Sequence, residues 1–293
     1  MKRFISVLSL IMLWHLDASQ AQILAPNEVG VAMGQWYTIV RDAEAAKQFW
    51  MLMGGSPIEV DGTDVIKFPG VLIFLSKGEP SGGTVGTTVD HIGFHVPNGE
   101  RFVAKLRAAG VKMDPTAGTR TPEYQGSSWG NVFSPDDLKV EILDSARSTA
   151  AIGTPAVRAA SPLTGPIATD HIHFFVAESS LEEIQAWYAQ MFGAKSFMDP
   201  VPNASNPVRA GNIPGVELKF SKSPDSPMPT KGRALDHIGF EVKNLEQFCK
   251  RLEANGVKFN QTYSKRRHKG YASAELTDTW GTSIELTEGL NKL

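Results

Sequence analysis

A short phrase recurs three times in this 293-residue chain and belongs to a longer internal repeat. It reads Asp-His-Ile-Gly-Phe at 90–94, Asp-His-Ile-His-Phe at 170–174 and Asp-His-Ile-Gly-Phe at 236–240. An offset of about 145 residues also aligns Pro69-Gly70-Val71 with Pro214-Gly215-Val216. Self-similarity at a fixed spacing indicates a duplicated structural unit. We therefore predict two homologous domains, at 28–145 and 168–288.

Each half divides again into two similar units. A unit begins with a strand of alternating pattern, continues with a helix that ends at a glycine, and closes with three short strands. The four opening strands are predicted at Gln35–Val40, His91–Val96, His171–Val176 and His237–Val242. The sequence thus predicts an α+β fold of four βαβββ modules, paired by consecutive units into two domains with cupped mixed sheets.

Composition limits the classes of function. The formal net charge is −2 and the sequence pI is about 6.4, so nothing indicates a nucleic-acid partner. The lone Cys249 excludes a disulfide within the chain and a cysteine zinc site, and its helical spacing predicts a buried small residue.

The N-terminus has the pattern of a secretory signal peptide. Lys2 and Arg3 precede an apolar stretch at Phe4–Trp14, and Ser19-Gln20-Ala21 fits a cleavage site. We expect residues 1–21 to be removed and the mature protein to be periplasmic or secreted, without membrane association after cleavage. Between the halves, 146–167 is rich in Ala, Ser, Thr and Pro and is predicted to be an extended linker.

Four βαβββ units, three of them opened by a histidine and with a Glu near the last strand, resemble the vicinal oxygen chelate superfamily. This group includes glyoxalase I, the extradiol dioxygenases and fosfomycin-resistance transferases. The resemblance covers nearly all of the mature chain and implies two glyoxalase-like domains. It also implies that two units hold one divalent metal, with ligands from both first strands and from the last strand of the second unit.

Carried over by position, the resemblance implies metal ligands His171, His237 and Glu285 in the C-terminal half. Two imidazoles and one carboxylate suit Fe²⁺, which we favour, and also accept Mn²⁺, Zn²⁺ or Ni²⁺. In the N-terminal half the same positions hold Gln35, His91 and Glu141. This second site either binds a metal or is a vestige that has lost its ion, and the sequence leaves both open.

Three further residues are catalytic candidates. His173 lies two residues beyond a predicted ligand, so it faces the same side of the strand as an acid/base group or as a hydrogen-bond partner of a ligand. The fourth glutamate ligand of glyoxalase I aligns with Phe74 and Lys219, and Glu217 is a candidate substitute. His268 has the spacing of a histidine in the extradiol signature.

The sequence therefore predicts a divalent-metal enzyme acting on a small substrate with vicinal oxygens. Its chemistry would be dioxygenase-like, which the three-ligand set slightly favours, or glyoxalase/lyase-like. The alternative is a non-catalytic protein of the same fold that sequesters a small molecule. Two unit pairs in one chain are compatible with a monomer or a homodimer.

Overall fold

The computed structural model describes residues 23–119, 128–144, 167–199 and 208–293, which contain fifteen strands and four α-helices. The first unit consists of β1 (Val31–Val40), α1 (Ala43–Leu52), β2 (Ser56–Val60), β3 (Thr63–Phe68) and β4 (Val71–Lys77). The second consists of β5 (Val89–Val96), α2 (Gly99–Ala108), β6 (Ser128–Phe133) and β7 (Lys139–Asp144).

The C-terminal half repeats this order, except that its last unit has three described strands after the helix where the second unit has two. The third unit consists of β8 (Ala168–Val176), α3 (Leu181–Phe192), β9 (Lys195–Asp199), β10 (Val208–Ile213) and β11 (Val216–Lys222). The fourth consists of β12 (Leu235–Val242), α4 (Leu245–Ala254), β13 (Phe259–Ser264), β14 (Ala272–Thr277) and β15 (Ser283–Glu288). All four predicted opening strands are confirmed.

Local sequence explains where the helices begin and which face they bury. Asp42 accepts hydrogen bonds from the backbone N–H groups of Glu44 and Ala45, which would otherwise be unpaired at the start of α1. In α4 the buried residues recur at helical spacing: Leu245, Phe248, Cys249 and Leu252. Cys249 is buried, as its spacing predicted.

The strands form two mixed sheets, but the units pair differently from the prediction. The first sheet has eight strands in the order β13-β14-β15-β12-β1-β4-β3-β2, and the second has seven in the order β6-β7-β5-β8-β11-β10-β9. The first unit therefore shares a sheet with the fourth, and the second with the third. The predicted domains 28–145 and 168–288 were wrong as sheet-forming units, because each half contributes to both sheets.

Two loops carry the chain from one sheet to the other. The loop after β4 and the loop after β11 run side by side and exchange backbone hydrogen bonds. Ser81 N–H donates to Gly232 C=O at 2.8 Å, Ala234 N–H to Gly82 C=O at 2.9 Å, and Thr88 N–H to Met228 C=O at 2.9 Å. The two crossings therefore contact each other directly where the units exchange sheets.

The helix-facing sides of both sheets share one apolar core. Trp36 of β1 meets Phe94 of β5 edge-on, with ring centroids 5.4 Å apart, so the core is continuous between the sheets. The opposite face of each sheet carries the histidines. On that face of the eight-stranded sheet lies a second, smaller apolar cluster that includes Val65, Leu72 and Phe74.

Some predictions concern segments outside the described residues. They are the signal peptide at 1–21 and all but the last residue of the linker at 146–167. Among the described residues, no helix is long and apolar enough to cross a membrane.

Candidate metal centre

Four adjacent strands of the seven-stranded sheet bring a cluster of donors to one place. The cluster, which we call the seven-stranded site, consists of His91 on β5, Glu141 on β7, His171 and His173 on β8, and Glu217 on β11. Glu217 is paired in register with His171, so both face the same side of the sheet. Strands, being rigid, hold such side chains more firmly than loops do.

The Asp of the recurring phrase orients the histidine that follows it. Nδ1 of the ring lies 2.7 Å from the preceding carboxylate in His91, 2.5 Å in His171 and 2.6 Å in His237. Metal-binding histidines commonly have such a partner, which fixes the tautomer and leaves Nε2 free to ligate. The sequence analysis missed this role, although the Asp stands in all three copies.

Glu141 lies between two of these rings. Its Oε2 is 3.5 Å from Nε2 of His91 and 3.3 Å from Nε2 of His171. Burial opposes the charged carboxylate, but His171 and His91 outweigh it and hold the pKa of Glu141 well below its usual range. Burial and Lys219 disfavour the imidazolium of His171, whereas Asp170 and Glu141 favour it and raise its pKa to about 9.

Gly93 allows His171 to reach this position. A Cβ added at Gly93 would lie 2.4 Å from Cε1 of His171, far inside normal contact distance. The Gly of the phrase therefore makes room for the side chain on the neighbouring strand. Gly239 has the same function, since a Cβ there would lie 2.4 Å from Cγ of Gln35. Gln35 therefore occupies the space beside Gly239.

His173 completes the group of three rings. Its Nδ1 is 3.1 Å from Nε2 of His91, and its Nε2 is 2.8 Å from Oγ of Ser221. Burial and the charges of His91, His171 and Lys219 lower the pKa of His173 well below its usual value. His173 thus faces the site, as strand alternation predicted.

Glu217 is a buried carboxyl group with an incomplete set of partners. Its Oε1 accepts no hydrogen bond, although Nζ of Lys219 is 3.6 Å away. Lys219 lies closer to Asp199, at 3.0 Å. Burial, only partly offset by Lys219, raises the pKa of Glu217 to about 7. The sequence named Glu217 but missed Asp199, which is distant along the chain and gave no local signal.

The eight-stranded sheet holds a related cluster, the eight-stranded site, made of Gln35, His237, His268 and Glu285. Gln35 donates from Nε2 to Glu285 Oε2, which also lies 3.3 Å from Nε2 of His237. Nε2 of His268 is 3.4 Å from Glu285 Oε1. Burial alone would raise the pKa of Glu285, but His237 and His268 outweigh it and lower the pKa to about 2. Leu72 is paired in register with Gln35, and it corresponds to Glu217, which is paired with His171 in the other sheet.

The structure corrects both predicted ligand sets by one exchange. His171 does not join His237 and Glu285, because it lies in the seven-stranded sheet with His91 and Glu141. Gln35 does not join His91 and Glu141, because it lies in the eight-stranded sheet with His237 and Glu285. The catalytic candidates are also divided: His173 and Glu217 lie in the seven-stranded site, whereas His268 lies in the eight-stranded site.

The seven-stranded site fits a divalent metal ion by the chemistry of its donors. One nitrogen from each of His91, His171 and His173 lies within 4.8 Å of the other two. Nε2 of His171 is fully buried and makes no hydrogen bond of good geometry, and Oε1 of Glu217 also lacks one. Buried polar atoms normally have partners, so these unpaired atoms are consistent with coordination of an ion.

Comparison with known proteins agrees with this architecture. Residues 170–273 match the family model of the Glyoxalase/Bleomycin resistance protein/Dioxygenase superfamily. The matched segment lies within the third and fourth units. The resemblance inferred from the sequence is confirmed, and so is the α+β fold of paired modules.

Two solved structures share the fold over most of the chain. Glyoxalase I from Zea mays has a TM-score of 0.65 at 15% identity, covering 89% of this chain and 93% of its own. A candidate dioxygenase from Bacillus subtilis subsp. subtilis str. 168 has a TM-score of 0.61 at 14% identity, covering 89% and 85%. No curated protein matches the sequence. Likeness at this identity establishes the fold alone.

Proposed function

We propose that this protein is a divalent-metal-dependent isomerase or lyase whose active centre is the seven-stranded site. Its substrate would be a small molecule with two neighbouring oxygen atoms. The observation that carries the proposal is the approach of Nε2 of His91 and of His171 to one oxygen of Glu141, at 3.5 and 3.3 Å. Two imidazoles and a carboxylate from three adjacent strands are a suitable ligand set for Fe²⁺, Mn²⁺, Zn²⁺ or Ni²⁺.

When bound by His91, His171 and Glu141, such an ion supplies Lewis acidity, which makes a C–H beside a chelated oxygen more acidic. Glu217 then accepts this proton. A general base works best when its pKa is close to the operating pH, and the pKa of Glu217 is raised to about 7 by its burial. Lys219, held 3.0 Å from Asp199, stays charged beside it and stabilises negative charge in the site.

The position of Glu217 favours proton transfer over the oxygenase chemistry that the sequence slightly favoured. A three-ligand set also suits Fe²⁺-dependent oxygenases, so oxygen activation is the second candidate. The difference is that an oxygenase needs no buried carboxylate of this kind facing the ligands, whereas an isomerase or lyase needs a base there.

Deuterium exchange tests the proposal directly. Metal-loaded protein is incubated with α-hydroxyketones, and with thiol adducts of 2-oxoaldehydes, in ²H₂O without oxygen, and exchange at the carbon beside the oxygens is followed by NMR. We expect exchange in the parent and a loss of about 100-fold or more in Glu217→Gln with metal content unchanged. Glu285→Gln in the other sheet is the matched control and should exchange like the parent.

Two outcomes would contradict the proposal. Turnover that consumes one O₂ per substrate would identify an oxygenase. Less than about a tenth of an ion per chain after metal repletion would leave a small-molecule binding protein, because three converging ligands should load close to one ion.

We also propose that the protein is exported, since Lys2 and Arg3 precede an apolar stretch and a cleavage-site pattern. N-terminal sequencing of the protein from its native compartment should begin at Gln22. A sequence beginning at Met1 would exclude cleavage at Ala21.

A further inference from the structure

We infer that His173 is a third imidazole ligand, so that three histidines and Glu141 together hold the ion of the seven-stranded site. This inference rests on the proposed function, because it adds a donor to the same centre. His173 lies two residues after His171 on β8, and side chains at this spacing face the same side of a sheet. The antiparallel register places it opposite His91 on β5.

The nitrogens that remain available in His91 and His173 face each other, with Nε2 of His91 3.1 Å from Nδ1 of His173. In His91 and His171 the outer nitrogen Nδ1 is bonded to the preceding Asp, at 2.7 and 2.5 Å. In His173 the outer nitrogen is Nε2, which bonds Ser221 at 2.8 Å. Each ring thus has an outer partner of the kind that metal-binding histidines use, and one nitrogen per ring falls within 4.8 Å of the others.

Without an ion, His173 can satisfy the same geometry as a hydrogen-bond donor. In the tautomer of His91 that gives its Nδ1–H to Asp90, Nε2 accepts a hydrogen bond from Nδ1 of His173 across 3.1 Å. Ser221 then donates its hydroxyl proton to Nε2 of His173. Coordination needs the other tautomer of His173, and Ser221 can accommodate it because a hydroxyl both donates and accepts. In this arrangement, ligation requires a proton shift on His173 and a rotation of the Ser221 hydroxyl.

The eight-stranded site has no equivalent donor. The register position of His173 is taken there by Tyr37, which is paired with His237 and stacks on its ring at 4.5 Å. A third nitrogen is thus specific to the seven-stranded site. Because imidazole-rich sites suit zinc, nickel and cobalt better than magnesium or manganese, we expect this site to prefer the former group.

X-ray absorption spectroscopy on the full chain, loaded with one equivalent of Zn²⁺, tests the inference. We expect scattering from three imidazoles in the parent and from two in His173→Gln, with the zinc affinity of the variant lowered by about 10-fold or more. His268→Gln makes the same change in the other sheet and should keep three imidazoles and the parent affinity.

The number of imidazoles bound to zinc in the parent distinguishes a failure of this inference from a failure of the proposed function. Two imidazoles in the parent, unchanged in His173→Gln, would show that His173 is only a neighbour of His91 and would overturn the inference while leaving the metal centre intact. A parent that binds no zinc, nickel, cobalt, iron or manganese would overturn the inference and the proposed function together. Because the parent spectrum decides the question, the result does not depend on how well the variant folds.

Discussion

Each site is built from two units; the two sites are alike in the residues that one unit supplies and differ in the residues that the other supplies. The second and fourth units supply the same residues at equivalent positions: an Asp-His pair, a glycine two residues beyond the histidine, and a glutamate on the last strand. The difference comes from the third and first units, where His171, His173, Glu217 and Lys219 correspond to Gln35, Tyr37, Leu72 and Phe74.

This comparison shows that the same fold can hold two clusters that differ in how their polar side chains are paired and covered. In the eight-stranded site, three protein side chains approach the Glu285 carboxylate, and apolar residues of the first unit cover the neighbouring face. Both sites contain buried polar atoms without a hydrogen bond: Nε2 of His171 and Oε1 of Glu217 in the seven-stranded site, and Oε1 of Gln35 in the eight-stranded site. Since an unpaired buried polar group costs about 1–3 kcal/mol, the seven-stranded site carries the larger cost in stability, as functional sites often do.

The largest expected effect is the loss of metal binding in Glu141→Gln. Removing a charged ligand that both histidines approach should weaken metal affinity by more than the roughly 10–100-fold typical of losing an outer partner. Calorimetric titration with Zn²⁺ measures it. Equal losses in Glu141→Gln and Glu285→Gln would mean that the two sites are functionally alike and would break the comparison.

Gly93→Ala should have the next largest effect. The added Cβ would meet the His171 ring at 2.4 Å, so the ring must move away from Glu141 and metal binding should fall sharply. Overpacking of this kind also costs about 1–3 kcal/mol of unfolding free energy. Gly239→Ala should lose similar stability in denaturant melts but retain the parent's metal affinity. A Gly239→Ala variant that lost its metal would place the ion in the other sheet.

Asp170→Asn tests the comparison at the aspartates that are bonded to Nδ1 of the histidines. The amide no longer holds the His171 ring by charge, so metal affinity should fall by about 10–100-fold. Asp236→Asn removes the same partner from His237 and should leave affinity unchanged. The measurement is competition with a chromogenic chelator, and equal affinities in both variants would contradict the expectation.

The smallest effect is expected for His268→Gln. The side chain is 26% exposed and lies 3.4 Å from Glu285, so its loss should change unfolding free energy by about 1 kcal/mol or less. Urea melts of the metal-free protein measure this difference. A change above about 3 kcal/mol would show that His268 belongs to a buried ion pair on which the eight-stranded sheet depends.

The sequence was sufficient for whatever depends on local pattern. Strand alternation, helical spacing and the recurring phrase predicted the elements, and every residue named as a metal ligand lies in one of the two sites. Because each unit has the same pattern, however, nothing local distinguishes pairing of β1 with β5 from pairing of β1 with β12. The structure pairs β1 with β12, and this pairing exchanges Gln35 with His171 between the predicted ligand sets.

Other parts of the seven-stranded site required coordinates for a similar reason. Asp199 approaches Lys219 only because β9 and β11 flank β10 in the sheet. Ser221 reaches His173 through the parallel pairing of β11 with β8. These partners are distant along the chain and lie outside the repeated phrase, so no periodicity points to them.

The crossing of units between sheets has a consequence for dissection of the molecule. A fragment covering 23–144 would contain His91 and Glu141 of the seven-stranded site but not His171. It would contain Gln35 of the eight-stranded site but not His237 and Glu285. Its counterpart, 167–293, would own the remainder of each cluster. Neither piece contains a whole centre, so any binding capacity should return only when the two are mixed and reassemble across β1–β12 and β5–β8.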